Sequence, residues 1–129
     1  KGESSYIIFK GVFRYQLIGK KSCSETRKTE RFLKERKMDF QFVDLDKRDL
    51  SPGELNNIFN SVPPDSLIDK KSRHYSKRGL EFMDYDPAQE ILEDQKLIIT
   101  PILRIKNRVL TRAAGSALDE STLKNFLQS

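Results

Sequence analysis

The sequence contains one cysteine, one histidine and no tryptophan. A single cysteine cannot form a disulfide within the chain, so the expected compartment is the reducing cytoplasm. The lone His74 has no cysteine or histidine near it at the spacing of metal ligands, and we therefore expect no metal site. No apolar run approaches membrane-spanning length, and residues 1–5 lack a signal-peptide pattern, so no membrane association is expected.

What the sequence does contain is charge. Charged residues make up 33% of the 129 residues against 36% hydrophobic, which indicates a single domain over 1–129 with a core of ordinary size. The net charge of +5 favours an anionic partner. The only dense basic run, 70–78, is more often a solvated helix face than a nucleic-acid site, so direct nucleic-acid binding is not expected. Lys70, Lys71 and Arg73 remain weak candidates for binding a protein partner.

The cysteine stands where a strand pattern gives way to a helix pattern. An alternating apolar run at 12–18 is followed by a short polar loop and, from Cys23, by a helical pattern. Free N–H groups and a partial positive charge at a helix start favour a thiolate, and Lys20, Lys21 and Arg27 add positive charge nearby. We therefore expect a lowered pKa and a nucleophilic Cys23. The alternative is a small half-buried apolar residue without chemistry.

A parallel βαβ unit is predicted around Cys23. The strand at 12–18, a helix ending near Arg36 and a second strand at Phe40–Leu45 follow one another, and a crossover of this length favours parallel strands. Residues 6–9 are apolar as well, and they fit either an extra edge strand or an extended lead-in.

An all-helical segment is expected at about 51–95. A helical pattern also continues within it from Ser66 to Arg78. Ser51 and Glu54 have the spacing of a capping box, with Pro52 at the first helical position, and they predict one helix start. Asp86 and Pro87 predict a second helix start further along the segment.

The end of the chain has strand patterns again. Residues 97–105 and 109–112 are predicted to form a hairpin that ends at 113–115. Asp119 is a plausible cap for a last helix with an apolar face. The fold class is therefore α/β, with a small mixed sheet built as βαβ, helical insertion and ββα and flanked by helices.

This order of elements resembles a thioredoxin-like fold, and more narrowly the arsenate reductase (ArsC)/Spx family. The resemblance spans roughly Phe13 to Ser129. It implies a cis peptide bond at Thr100–Pro101, facing the helix-start cysteine. The stretches that carry it are 19–28, 40–45, 67–75, 79–80, 100–102 and 111–112.

In the arsenate reductases of that family, the cysteine attacks arsenate, glutathione resolves the adduct, and three arginines hold the oxyanion. The resemblance places those three positions at Asp69, Thr100 and Arg112, so only the third has its arginine. A carboxylate in place of an arginine opposes an oxyanion, and we expect little true arsenate reduction.

The regulator branch of that family, Spx, usually carries a Cys-x-x-Cys switch and binds RNA polymerase. Here the second switch position is Thr26, so a dithiol switch is absent. Two functions stay open: a single-cysteine thiol oxidoreductase coupled to glutathione or glutaredoxin, and a non-catalytic, Spx-like binding module. For the first, no bound cofactor is expected and glutathione is a possible co-substrate. Its site would have Cys23 as catalytic residue and, as substrate- or anion-binding residues, Lys20, Lys21, Ser24, Arg27, Thr100, Pro101 and Arg112.

Overall fold

Four strands form one mixed sheet in the computed structural model, which describes residues 15–106, 108–112 and 118–128. The strand order is β2–β1–β3–β4, with β1 parallel to β2 and antiparallel to β3, and with β3 antiparallel to β4. The predicted α/β class and the βαβ–insertion–ββα order are confirmed. The elements in chain order are β1 (Tyr15–Gly19), α1 (Ser24–Glu35), β2 (Phe40–Asp44), α2 (Pro52–Ser61), α3 (Pro64–Leu67), α4 (Arg73–Lys77), a 3₁₀ turn (Leu80–Phe82), α5 (Pro87–Glu93), a second 3₁₀ turn (Gln95–Leu97), β3 (Ile102–Ile105), β4 (Arg108–Thr111) and α6 (Glu120–Gln128).

The two faces of the sheet bury different clusters, because successive strand residues point to opposite sides. Leu17 and Leu103 pack with α1 and α6 on one face. Ile18 and Ile102 pack with the segment between β2 and β3 on the other. All four of these side chains are fully buried. In the described ranges, no helix has both the length and the apolarity needed to cross a membrane.

Helix α1 begins at the cysteine and packs by one narrow stripe. Cys23 is its N-cap, with extended backbone, and the helix ends at Glu35, one residue before the predicted Arg36. Its buried residues are Thr26, Thr29, Phe32 and Leu33, which recur at helical spacing.

The capping predictions for the insertion are confirmed. Ser51 accepts from the Glu54 N–H at 3.1 Å, and Glu54 accepts from the Ser51 N–H at 2.8 Å. At the start of α5, the Asp86 carboxylate accepts from the Ala88 N–H at 3.1 Å. For α6, Asp119 accepts from the Thr122 N–H at 2.8 Å.

The continuous helix predicted over 66–78 is wrong, because the chain is extended at Ile68 and divides the segment into α3 and α4. Ile68 forms an antiparallel bridge with Ile98. The Ile99 N–H donates to the Leu67 carbonyl at 2.7 Å and the Asp69 N–H to the Leu97 carbonyl at 2.8 Å. Burial of the two isoleucines against each other favours this extended pairing over another turn of helix.

Strand boundaries also differ from the sequence patterns. β3 begins at Ile102 rather than Leu97, because 95–97 form a 3₁₀ turn and Ile98 pairs with the insertion instead of with β1. β2 ends at Asp44, and β4 covers Arg108–Thr111 rather than 109–112. The predictions for residues 6–9, 12–14 and 113–115 lie outside the described residues.

The buried side chain of Gln16 in β1 connects α2 to the sheet through hydrogen bonds. Gln16 Nε2 donates to Glu54 Oε2 at 2.8 Å, and Gln16 Oε1 accepts from Arg104 Nη2 at 2.8 Å. Burial of Glu54 raises its pKa, but hydrogen bonds from the Ser51 N–H, Gln16 and Arg48 outweigh burial and lower this pKa to about 2. The carboxylate is therefore ionised at neutral pH and holds the start of α2 over β1.

The first prediction concerns the close contact between Gly19 and Thr26. A Cβ at this position would lie 2.4 Å from Thr26 Cγ2 and 2.5 Å from Thr26 Oγ1, and Thr26 is buried and cannot move aside. We expect Gly19→Ala to lower the free energy of unfolding by about 1–3 kcal/mol, as overpacking does. Denaturant titration measures this change.

Gly53→Ala is the matched control. The nearest atom to a Cβ at Gly53, in the first turn of α2, is Ser51 Oγ at 4.0 Å. This substitution should be neutral or should stabilise by about 0.4–1 kcal/mol, because alanine restricts the unfolded chain. Equal losses for the two variants would contradict the proposed close contact between Gly19 and Thr26.

Candidate active site

The cysteine lies at the junction of β1 and α1, with its side chain half-buried. The turn between the two elements is closed by a hydrogen bond from the Cys23 N–H to the Lys20 carbonyl at 3.0 Å. The first hydrogen bond of α1 runs from the Arg27 N–H to the Cys23 carbonyl at 3.1 Å. The sulfur therefore stands beside the unsatisfied N–H groups of a helix start.

The residue before the cis-proline faces this sulfur. The Thr100–Pro101 peptide bond is cis, which confirms the expectation. The Cys23 thiol donates to the Thr100 carbonyl, with an S···O distance of 3.6 Å. The two meet because β1 and β3 are antiparallel, with Ile18 opposite Ile102, so that the end of one strand lies beside the start of the other.

Local hydrogen bonds govern the charge state of the thiol. Burial raises the pKa of Cys23, but hydrogen bonds from the Thr100 and Thr26 side chains and from the Thr26 and Glu25 backbone N–H groups lower it by more. The net direction is down, as expected for a cysteine at a helix start.

The expected cations each contact another partner. Lys20 Nζ donates to the Lys96 carbonyl at 3.0 Å. Lys21 Nζ pairs with the Glu30 carboxylate at 3.2 Å. Arg27 Nη1 donates to the Lys21 carbonyl at 2.7 Å. Lys21 thus pairs with an opposite charge, while Lys20 and Arg27 keep theirs, because a carbonyl carries no net charge. A role for the three cations in attracting substrate stays a prediction.

Arg112 is connected to the cysteine through a shared carbonyl. Its Nε donates to the Thr100 carbonyl at 2.7 Å, and this is the carbonyl that accepts from the Cys23 thiol. Sequence reasoning placed Arg112 in the site as an anion-binding residue but missed this contact. Ser24, the other candidate, is the exposed first residue of α1. The structure thus brings Cys23, Thr100, Pro101 and Arg112 together.

Sequence reasoning missed a cleft of about 390 Å³, whose lining includes Ile99, the residue before Thr100. It lies where the Ile68–Ile98 bridge brings the insertion beside the segment that leads into Thr100. No signal in the local sequence pattern indicates it, because its two walls are some thirty residues apart. Its lining residues are Asp65, Ser66, Ile68, Asp69, Lys70, Lys71 and Ile99.

The basic run at 70–78 is partly neutralised by neighbouring carboxylates. Arg78 Nη2 lies 2.6 Å from Glu90 Oε1 and 3.0 Å from Glu93 Oε1. Lys70 Nζ is 3.9 Å from Asp65 Oδ1. The candidate partner-binding residues Lys70, Lys71 and Arg73 are all exposed, but the run is not one helix face, since α4 begins only at Arg73.

The sheet order, the helix-start cysteine and the cis-proline opposite it define a thioredoxin-like fold. Solved structures agree. A protein named "YFFB (PA3664)" has a TM-score of 0.73 at 19% identity, covering 88% of this chain and 98% of that one. An arsenate reductase from Vibrio cholerae has a TM-score of 0.69 at 15% identity, covering 91% and 98%.

An ArsC-related protein from Brucella melitensis has a TM-score of 0.62 at 18% identity, covering 90% of this chain and 96% of that one. The chain therefore has the same thioredoxin-like fold as these arsenate reductase-related structures. These identities establish the fold and not the activity. No protein-family model and no curated protein matches the sequence.

The second prediction concerns the pKa of Cys23. The rate of alkylation against pH should have a midpoint below the ordinary cysteine value of about 8.5. Thr26→Val keeps the shape of a buried side chain but removes the hydroxyl that stabilises the thiolate, so it should raise the midpoint.

Thr29→Val is the matched control, since Thr29 is equally buried in α1 but donates to the Glu25 carbonyl at 2.9 Å instead of to the sulfur. It should leave the midpoint unchanged. A midpoint of wild-type alkylation at or above the ordinary cysteine pKa would contradict the prediction.

Proposed function

We propose that the chain is a single-cysteine thiol oxidoreductase in which Cys23 forms a mixed disulfide with glutathione. The observation that carries the proposal is the arrangement at Cys23: a half-exposed sulfur at the start of α1, with a lowered pKa, facing Thr100 just before the cis-proline. A thiolate in this position is both a good nucleophile and a good leaving group.

The chemistry consists of two thiol–disulfide exchanges. The Cys23 thiolate attacks one sulfur of oxidised glutathione; a new S–S bond forms, the old one breaks, and one glutathione thiolate leaves with the electron pair and takes a proton from solvent. A second thiol, that of glutaredoxin, then attacks the glutathione sulfur of the adduct and releases the Cys23 thiolate, so that the glutathionyl group passes to glutaredoxin. Glutathione itself can resolve the adduct productively only when the mixed disulfide joins Cys23 to a different thiol. The hydrogen bonds at the helix start stabilise this anion in both steps.

The peptide backbone of glutathione would lie along Thr100. This residue comes before the paired residues of β3, so its backbone is outside the ladder with β1. Carboxylates of glutathione would be attracted by Lys20, Lys21 or Arg112. Such exposed ion pairs contribute only about 0–1 kcal/mol each and weaken with salt, so the covalent step supplies most of the selectivity.

The third prediction tests the adduct. Reduced protein incubated with oxidised glutathione should gain the mass of one glutathione at Cys23, and Cys23→Ser should gain nothing. The wild-type rate should fall as salt rises, because the attraction is electrostatic. A rate independent of salt would retain the redox role but remove the three cations from it.

The fourth prediction concerns arsenate. Two of the three positions that hold the oxyanion in resembling reductases are Asp69 and Thr100 here, and the Nε of Arg112 is already bonded to the Thr100 carbonyl. Each lost charged hydrogen bond costs about 1.5–3 kcal/mol, so arsenate turnover should be slower by about a hundredfold or more. A coupled assay with glutathione and glutaredoxin, run beside a reductase with all three arginines, measures this. Comparable rates would contradict it.

A non-catalytic binding module is the second candidate, supported by the exposed basic side chains of Lys70, Lys71 and Arg73. RNA polymerase is a candidate partner only through the resemblance to Spx. If Cys23 is accessible to alkylation yet never forms the glutathione adduct, the binding module becomes the better proposal. A cytoplasmic location suits either role, because reduced glutathione keeps a lone thiol free there.

A further inference from the structure

The cleft that includes Ile99 is lined by acidic, basic and apolar side chains. Ile68 and Ile99 are buried at its base, and two aspartates and two lysines line it above them. Its volume of about 390 Å³ is at the lower end of the range of about 300–1,000 Å³ that small-molecule sites occupy. A site with paired opposite charges suits a zwitterion better than an anion.

The cleft is within reach of a small peptide held at the sulfur. Ile99, one of its lining residues, directly precedes Thr100, whose carbonyl is 3.6 Å from the Cys23 sulfur. Adjacent Cα atoms are about 3.8 Å apart, and an extended tripeptide spans about 10 Å. Asp69 is hydrogen-bonded to Leu97, three residues before Thr100, which is about 10 Å along an extended chain. The γ-glutamyl arm of glutathione, from its sulfur to its α-carbon, is about as long, so glutathione joined to Cys23 can extend this arm to Asp69.

The position of Asp69 is fixed by four hydrogen bonds of its own. Its N–H donates to the Leu97 carbonyl at 2.8 Å, and its carbonyl accepts from the Ser72 N–H at 3.1 Å and the Ser72 hydroxyl at 2.8 Å. Its Oδ1 accepts from the Lys71 N–H at 3.1 Å. The Asp69 carboxylate is thus held in place in the lining of the cleft, to which Lys71 also contributes.

We propose that this cleft binds the α-amino acid end of a γ-glutamyl thiol: Asp69 accepts from the α-ammonium group, and Lys71 pairs with the α-carboxylate. The inference rests on the proposed thiol chemistry and gives it a substrate class, disulfides that carry a terminal zwitterion. Lys71 is assigned to the carboxylate because Lys70 is placed near Asp65, with Nζ 3.9 Å from its carboxylate. Asp69 would repel a substrate that brings only negative charge.

The fifth prediction compares two disulfides. Oxidised glutathione should modify Cys23 about fivefold faster than its N-acetylated form, since one exposed ion pair contributes about 1 kcal/mol. Asp69→Asn, whose amide oxygen still accepts from the Lys71 N–H, should remove this difference. Asp46→Asn, the same charge change in the exposed loop after β2, should keep it.

A binding measurement separates the cleft from the chemistry. S-methylglutathione titrated into Cys23→Ser forms no bond, and adding Asp69→Asn or Lys71→Gln should weaken its affinity about fivefold. Equal rates for the two disulfides, with no effect of Asp69→Asn on this affinity, overturn the inference and leave the thiol chemistry standing. If neither oxidised glutathione nor bis(2-hydroxyethyl) disulfide modifies Cys23 while S-methylglutathione binding still depends on Asp69, the redox proposal fails and the cleft is a zwitterion site without it.

Discussion

Thr26 packs directly on the backbone of Gly19, closer than any side chain at position 19 would permit. This contact packs the first turn of α1 against the end of β1, and the short turn between them ends at Cys23, the N-cap of α1. The Thr26 hydroxyl also accepts from the Lys20 N–H at 3.4 Å and stabilises the thiolate. One buried side chain therefore packs the helix with its methyl group and, with its hydroxyl, closes the loop and lowers the pKa of the cysteine.

The site is assembled by strand register as much as by its residues. Ile102 pairs with Ile18 in β1 and with Thr111 in β4, so the residue after Thr111 lies beside the one before Ile102. Arg112 therefore meets the Thr100 carbonyl, which in turn faces the Cys23 sulfur. A shift of one residue in either ladder would turn these groups to the other face of the sheet.

Local rules in the sequence were sufficient for the order of elements, for the helix starts at Ser51 and Asp86, and for a cysteine at the start of α1. These rules failed where contacts between segments far apart in the sequence determine the local structure. The helical pattern at 66–78 is real, but the buried pairing of Ile68 with Ile98 overrides it. Similarly, Lys21 is near Cys23 in sequence, yet its ammonium group forms an ion pair with the carboxylate of Glu30 in α1. The cleft has no local signature, since its walls come from separate segments.

The bridge between Ile68 and Ile98 makes the site a cooperative unit with the insertion. If α3 detaches, the bonds from the Ile99 and Asp69 N–H groups break together, and both Thr100 and the charged end of the cleft lose their support. Because Leu67, Ile68 and Ile98 are buried in the core cluster shared with Ile18 and Ile102, the support of the site and the packing of the core depend on each other. A ligand that spans the sulfur and the cleft would bind only the folded arrangement and would stabilise the insertion and the core together by mass action.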